Sequence, residues 1–333
     1  MWKQRSKVAW LRDGDRNTWF FHSKASQRHR RNYITKLHDA NGGWCSSQDQ
    51  VNATIVDFYQ NLFTSGSPSN FEEVIKTIPH VVTDEMNDML MAEFNIEEAE
   101  VALKQMAPLK APGPDGMPPL FYQSYWSLLG SDVSTTILHY LNSGSFPQAL
   151  GHSFITLIPK VKDPTYVSEF RPISLSNVLY RIFAKVLTNR LQAIMPNLIS
   201  EHQSAFLSDR LISDNILVAF ETLHYMRNHN KGKYGFMALK LNMSKAYDKV
   251  EWEYMERVMI KMGFHAWWIQ LMMMCITTTS YSMLINEEPH GHITPTCGLC
   301  QGDPLSPYFF LMCTESLHGL ISKAAHNGDI RGV

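Results

Sequence analysis

Apolar residues along this chain recur at two spacings, and the change from one to the other marks its elements. Residues 153–160 (SFITLIPK) read as a strand, and Val167–Leu175 (VSEFRPISL) as a second one after a Lys-containing turn. Tyr281–Asn286 reads as a third. The nearly continuous apolar run Phe236–Leu241 has the length of a strand buried on both faces. Polar and small residues after Asn242 then turn the chain, and Tyr247, Val250, Trp252, Met255, Val258 and Met259 predict a helix. Helical spacing also runs through positions 178, 179, 182, 183, 186, 187, 191 and 194, leaving Arg181, Lys185 and Arg190 on the side read as solvent-facing. Residues 71–106 read as helical with Ile96, Ala99, Leu103 and Met106 on one face, as do Tyr308–His326. Ile212, Ile216, Ala219, Phe220 and Leu223 outline a further packing face. Residues 64–70 and the Asn-, Lys- and Gly-rich 228–235 read as loops.

Composition sets the scale of this pattern. The 333 residues, 44% hydrophobic and 18% charged, are enough for a sizeable core and suggest two or three subdomains. The five cysteines, at positions 45, 275, 297, 300 and 313, have no secreted-domain spacing, and the N-terminus lacks an apolar signal core. A reducing, intracellular location, nucleus or cytoplasm, is expected. The longest apolar-rich stretch, Trp267–Ile276, includes Gln270 and is far shorter than the roughly 20 residues of a membrane span, so no membrane association is expected.

The net charge of −1 hides an uneven distribution. Residues 1–40 contain ten Lys/Arg against three Asp, a local charge of +7, while residues 72–100 hold nine Asp/Glu against Lys76, a local −8. The basic block is interleaved with Trp10, Trp19, Phe20, Phe21 and Tyr33. It suits a surface that follows a nucleic-acid backbone, since phosphates need cations and unpaired bases stack on rings. Arg28, Arg30 and Arg31 are the candidate phosphate contacts. By charge alone, a solvated helical face fits equally well.

Four further stretches carry candidate chemistry. Lys110–Gly116 (KAPGPDG) packs two Pro and two Gly into seven residues, which imposes a rigid turn ahead of Phe121, Tyr122, Tyr125 and Trp126. VSEFRPISL presents Arg171, a permanently charged fork able to grip phosphate oxygens, with Lys160 nearby. Residues 201–220 (EHQSAFLSDRLISDNILVAF) contain Arg210 and Asn215. Gly298–Phe309 (GLCQGDPLSPYF) combines two Gly, two Pro, Gln301 and Asp303 at tight spacing. The pair Cys297 and Cys300 lacks a second pair to close a four-ligand zinc site, so no metal is assigned to it.

Together with Gly235–Trp252 (GFMALKLNMSKAYDKVEW), these blocks resemble the reverse transcriptases of non-LTR, LINE-type retrotransposons, of the lineage common in plants. The likeness covers essentially the whole chain. It implies an α+β, right-hand polymerase fold with fingers and an incomplete palm. The division it implies is a basic helical segment at 1–70 following an endonuclease, a helical fingers extension at 71–150, and a polymerase domain at 151–333, with fingers 151–235 and partial palm 236–333. It further implies RNA-templated DNA synthesis with Mg²⁺, an RNA template, a DNA primer and deoxynucleoside triphosphates. Arg171 and Lys160 would hold the nucleotide phosphates, Tyr247 would gate against a ribose 2′-hydroxyl, and Gln301 would position template or nucleotide. Arg210 and Asn215 would touch the template strand.

Departures from the family pattern shape the functional expectation. Asn242 stands where the family has its first metal-binding aspartate, Cys297 and Cys300 where it has arginines, Glu287 where it usually has glycine, and Ser208 and Asp209 where it has a Pro-Gly or Lys-Gly pair. The changes at 242, 287, 297 and 300 each need a single G-to-A or C-to-T step. The Ala-Asp-Asp hairpin bearing the other carboxylates belongs beyond residue 333. Hence the expectation is a polymerase by descent that is inactive as this chain, or else a non-catalytic nucleic-acid-binding remnant.

Overall fold

The computed structural model describes residues 19–207, 210–228 and 236–330. Helix α1 (Trp19–Asn32) holds the second half of the basic block and ends on His29, Arg30 and Arg31, where cations face the negative end of the helix dipole. A small hairpin follows, β1 (Leu37–His38) and β2 (Trp44–Cys45). Helix α2 (Gln48–Leu62) starts on Ser47, whose side chain accepts from the Gln50 amide. Its Val51, Ile55, Tyr59 and Leu62 form one core with Ile155, Leu157, Tyr281, Met283 and Ile285 of the main sheet.

The helical layer begins with α3 (Glu72–Ile75), α4 (Asp84–Met91) and α5 (Ile96–Lys104). The helix expected over 71–106 is thus three, because the sequence holds two internal caps. The Thr83 side chain accepts from the Met86 amide. Asn95 and Glu98 exchange reciprocal bonds of 3.0 Å in a capping box. Helices α6 (Pro119–Ser124), α7 (Trp126–Ser143) and α8 (Gln148–Gly151) lead to the sheet.

Strands β3 (His152–Pro159) and β4 (Phe170–Ser176) pair antiparallel, with Ile158 opposite Arg171. Helices α9 (Val178–Leu198), α10 (Ile212–Asn228), α11 (Trp252–Met262) and α12 (Ala266–Thr277) precede β5 (Ser280–Ile285), which joins β3 in parallel; β6 (Glu288–Ile293) turns back along β5, and α13 (Ser306–His326) is the last described element. The sheet order is β4-β3-β5-β6. Helices α9, α11, α12 and α13 share the larger apolar core, with Phe183, Leu187, Met259, Trp268, Met272 and Phe309 all at its centre. No described helix is long and apolar enough to cross a membrane. The fold is α+β.

Three elements differ from the expectation. Residues 236–241 form no strand, and Met237, Leu239 and Leu241 are exposed. A strand takes its backbone partners from a neighbour, and no described strand lies beside this run. The following helix starts at Trp252 rather than Tyr247, since the backbone of 247–250 pairs with residues 298 and 299 instead. Helix α10 forms where expected but buries none of its residues. A helix closes its own hydrogen bonds and so persists without a partner for its apolar face.

The cations of α9 also behave differently from solvent-facing residues. Arg181 is only 2% exposed. Arg190 donates to Glu98 at 2.7 and 2.8 Å and to the Leu90 carbonyl at 2.8 Å, tying the acidic stretch to this helix.

Candidate active site

The β4–α9 junction is where the distinctive turns converge. A Cβ on Gly113 would lie 2.5 Å from the Asn177 nitrogen, so only glycine lets the KAPGPDG turn seat here. The Asp115 amide donates to Asn177 Oδ1 at 3.1 Å, and Arg181 Nη2 donates to the Ala111 carbonyl at 2.9 Å. Lys110 Nζ reaches the Gly302 carbonyl at 3.3 Å. One turn therefore locks to both β4–α9 and the 298–309 block.

That block is joined in turn to residues 247–252. The Gly298 amide donates to the Val250 carbonyl and the Leu299 amide to the Tyr247 carbonyl, both at 2.8 Å. Trp252 Nε1 donates to the Gly298 carbonyl at 2.8 Å. On the other side, the Ser174 amide donates to the Gln301 carbonyl at 2.9 Å. The enclosed space bordered by Ser174, Asp248 and Gln301 is about 10 Å³, at the lower limit for one water. Anything larger than a single water has to lie outside it.

Two charge clusters sit beneath it. Asp248 is buried, and burial raises its carboxyl above the usual range against the pull of Lys245, a Gln301 side-chain hydrogen bond and Lys160. Lys245 Nζ lies 4.0 Å from Asp248 Oδ2 and 5.2 Å from the centre of the Phe58 ring, with no hydrogen-bond partner. Burial lowers its ammonium, with Asp248 opposing and Lys160 adding to the effect. The second cluster is Asp303 with Lys110, Arg181 and Asp115. Asp303 Oδ1 accepts from the Leu305 amide at 2.8 Å, and burial raises this carboxyl too.

Of the residues singled out in the sequence, Lys160, Tyr247 and Gln301 come to this region. Arg171 is exposed on β4. Lys160 follows β3 and donates to the Ser168 carbonyl at 3.0 Å. Tyr247 is half-buried and stacks on Phe310, centroids 4.8 Å apart at 17°. Asn242 is exposed, on the segment that forms no strand. Arg28, Arg30 and Arg31 are exposed on α1; Arg28 and Arg30 line a groove of about 610 Å³ against β3 and β5. Arg210 lies apart, donating to the carbonyls of Pro196, Ile199, Ser200 and Gln203 at 2.5–3.2 Å, which satisfies the C-terminal end of α9. Asn215 donates to Ser204 Oγ at 2.8 Å.

The departures have structural consequences. Glu287 closes the β5–β6 turn at φ 74°, the left-handed region that favours glycine. Cys297 is buried, its thiol directed toward the Leu62 and Asp248 carbonyls. Cys300 Sγ lies 2.9 Å from the Tyr281 hydroxyl, and burial pushes its thiol up to about 12. Both are therefore packed thiols.

Among the described residues, the oxygens at this site do not fit a pair of Mg²⁺ ions, which require several anionic ligands open to substrate. Asn242 offers one neutral amide oxygen. Asp248 is buried against Lys245 and Gln301, and Asp303 is held by the Leu305 amide. Sequence reading gives Asp303 no role beyond its turn block, and it passes over Lys245, Asp248 and Arg181 because periodicity assigns them to a turn, a helix pattern or a solvent face. The signal available was chemical: a Lys and an Asp three residues apart in a turn, and an Asp between Gly and Pro.

Comparison with known proteins identifies the family. The model of the reverse transcriptase (RNA-dependent DNA polymerase) family matches residues 158–331, about half of the chain. The uncharacterized 149 kDa protein of transposon TX1 from Xenopus laevis is 27% identical over 321 residues, 96% of this chain and 24% of that protein. An uncharacterized mitochondrial protein of Arabidopsis thaliana is 52% identical over 50 residues, 15% of this chain and 41% of its own length. The Pol polyprotein of the type-2 element R2DM from Drosophila melanogaster is 23% identical over 263 residues, 79% of this chain and 24% of the polyprotein. The chain thus spans about a quarter of the Xenopus and Drosophila proteins. Blocks clamped together around β4 and α9, a matching family model and transposon relatives along nearly the full length lead to one conclusion: this chain belongs to the reverse transcriptase family, with the polymerases of non-LTR, LINE-type retrotransposons.

Proposed function

We propose that this chain is the fingers and part of the palm of a plant-type retrotransposon reverse transcriptase, and that it engages nucleic acid and nucleotide without completing DNA synthesis. The observation that supports this reading most is the clamping of residues 247–250, 298–301 and 174 into one surface, with Lys160 acting on Asp248 and Arg171 exposed on the same strand as Ser174. Arg171 and Lys160 hold the triphosphate of an incoming deoxynucleotide, Gln301 orients template or base, and Tyr247 on Phe310 blocks a 2′-hydroxyl. An RNA template and DNA primer approach along the basic face of α1, through Arg28, Arg30 and Arg31. This engagement is expected to take place inside the cell, in nucleus or cytoplasm. Mg²⁺, held in the family by an aspartate at the position of Asn242, would supply charge stabilisation of the attacking and leaving oxygens; the neutral Asn242 lacks the charge that would hold it.

A primer-extension assay with Mg²⁺ or Mn²⁺, run beside RNA binding on the same preparation, tests the proposal. Binding without EDTA-sensitive extension is the expected result. Extension above a mock-purified control and abolished by EDTA would overturn the inactive reading. Absence of RNA binding would overturn the nucleic-acid reading.

A further inference from the structure

The β1–β2 hairpin and the turn before β4 build a ring stack that the polymerase reading does not use. His38 lies between Trp44, centroids 3.8 Å apart at 36°, and Tyr166, 4.8 Å apart at 24°. Trp44 remains 52% exposed and Tyr166 46% exposed. Aromatic rings this open to water are held in place here by the backbone around them. The His38 amide donates to the Thr165 carbonyl at 2.8 Å, and His38 Nδ1 lies 3.1 Å from the Gly42 carbonyl. Glu169 Oε2 accepts from the amides of Thr165 and Tyr166 at 2.7 and 3.1 Å, which fixes the other side. The Asp39 carboxylate closes the hairpin by accepting from the Asn41 and Gly43 amides.

Beside the stack opens a pocket of about 660 Å³, lined by His38, Tyr166 and Phe58 and by the polar Asp39, Asn41, Asp57 and Asn61. Two aspartates on its wall repel phosphate, while their oxygens and the asparagine amides suit the donors and acceptors of a base edge. Cations stand at its border: Lys36 Nζ sits 4.7 Å from the Trp44 ring centre, and Lys160 is tied to Ser168 of the pocket wall. Lys245 lies over Phe58.

We infer that the His38–Trp44–Tyr166 stack and its pocket hold an unpaired base of single-stranded nucleic acid, with a flanking phosphate on Lys36. The inference rests on the nucleic-acid reading above and names a site within it. An unpaired base offers the π-face that the rings match, whereas a duplex keeps its bases stacked and out of reach. Rings ordered beforehand lose little freedom on binding.

The test uses the full chain with a 12-nucleotide single-stranded RNA containing 2-aminopurine, the same sequence as DNA, and an RNA duplex. Stacking is expected to quench the 2-aminopurine. The double variant Trp44→Leu, Tyr166→Leu is expected to weaken single-strand binding about ten-fold. Duplex binding and the salt slope should stay unchanged, because stacking releases no counterions. A second variant, His38→Ala with the rings of Trp44 and Tyr166 retained, should give a smaller loss; matching melting curves confirm folding. RNA and DNA arms that respond alike place recognition in the base, and a selective RNA response adds the 2′-hydroxyl. If wild type binds single strands but neither quenching nor affinity changes in the variants, the platform is refuted and the polymerase reading stands. If wild type binds no single strand, both fall.

Discussion

The Leu299 amide donates to the Tyr247 carbonyl across 2.8 Å, linking positions 52 residues apart in sequence at the centre of the molecule. The neighbouring Gly298 has φ +91°, and a Cβ there would meet the Asp248 carbonyl oxygen at 2.8 Å. Gly298→Ala is therefore expected to destabilise the fold by about 1–3 kcal/mol through backbone strain. Thermal melting checks this; an unchanged midpoint would show that the linkage tolerates displacement.

The opposite sign is expected at the β5–β6 turn. Glu287 has φ 74° beside Asn286 at φ 51°, and its contact with the His29 ring is largely exposed. Glu287→Gly relieves left-handed strain but adds entropy to the unfolded chain, leaving a net gain of up to about 1 kcal/mol. Urea titration of the two proteins measures the difference, and a lower midpoint in the variant would contradict it.

Restoring the family residue at position 242 alone is not expected to restore synthesis. Asn242→Asp adds one carboxylate on an exposed segment, while Asp248 and Asp303 stay buried and engaged. One aspartate cannot hold two ions. EDTA-sensitive primer extension by this single variant would sink the argument.

Binding of single-stranded RNA should weaken steeply with salt. Each phosphate contact adds about 0.7 to the log–log slope on single strands, so replacing Arg28, Arg30 and Arg31 by Gln should flatten it by about 2. Equal slopes in a filter-binding series would remove α1 from the interface.

His152 supplies a pH dependence. Burial lowers its imidazole below the ordinary value, and the stacked His292 lowers it further. A histidine depressed in the fold adds stability above the unfolded value of about 6.5, and that stability is lost as pH falls through the folded value. Wild type should lose stability on going from pH 7.5 to 5.5, and His152→Gln should lose less. Parallel losses in chemical denaturation would exclude this residue as the source.

Local information in the sequence determined the elements and the family. The β3 and β4 runs, the α9 and α13 stripes and the Pro- and Gly-rich turns are encoded by neighbours a few residues apart. Asn95 and Glu98 are likewise a local signal, since a capping box closes within one turn. The likeness that singled out Arg171, Tyr247 and Gln301 also rests on contiguous blocks; the backbone of Gln301 bonds to Ser174 of β4, and that of Tyr247 to Leu299.

Tertiary structure alone decided what each polar group faces. Arg181 and Arg190 occupy the same periodic positions as solvent-facing cations, yet one is buried beneath Ala111 and the other bonded to Glu98. Arg210 has the charge of a template contact, yet its donors close the end of α9. The run 236–241 has strand composition but no described strand alongside it, because a strand depends on a partner elsewhere in the chain. Apolar spacing records which side of an element prefers to leave water. It does not record which distant group will be waiting there, and that pairing arises only when the chain is packed in three dimensions.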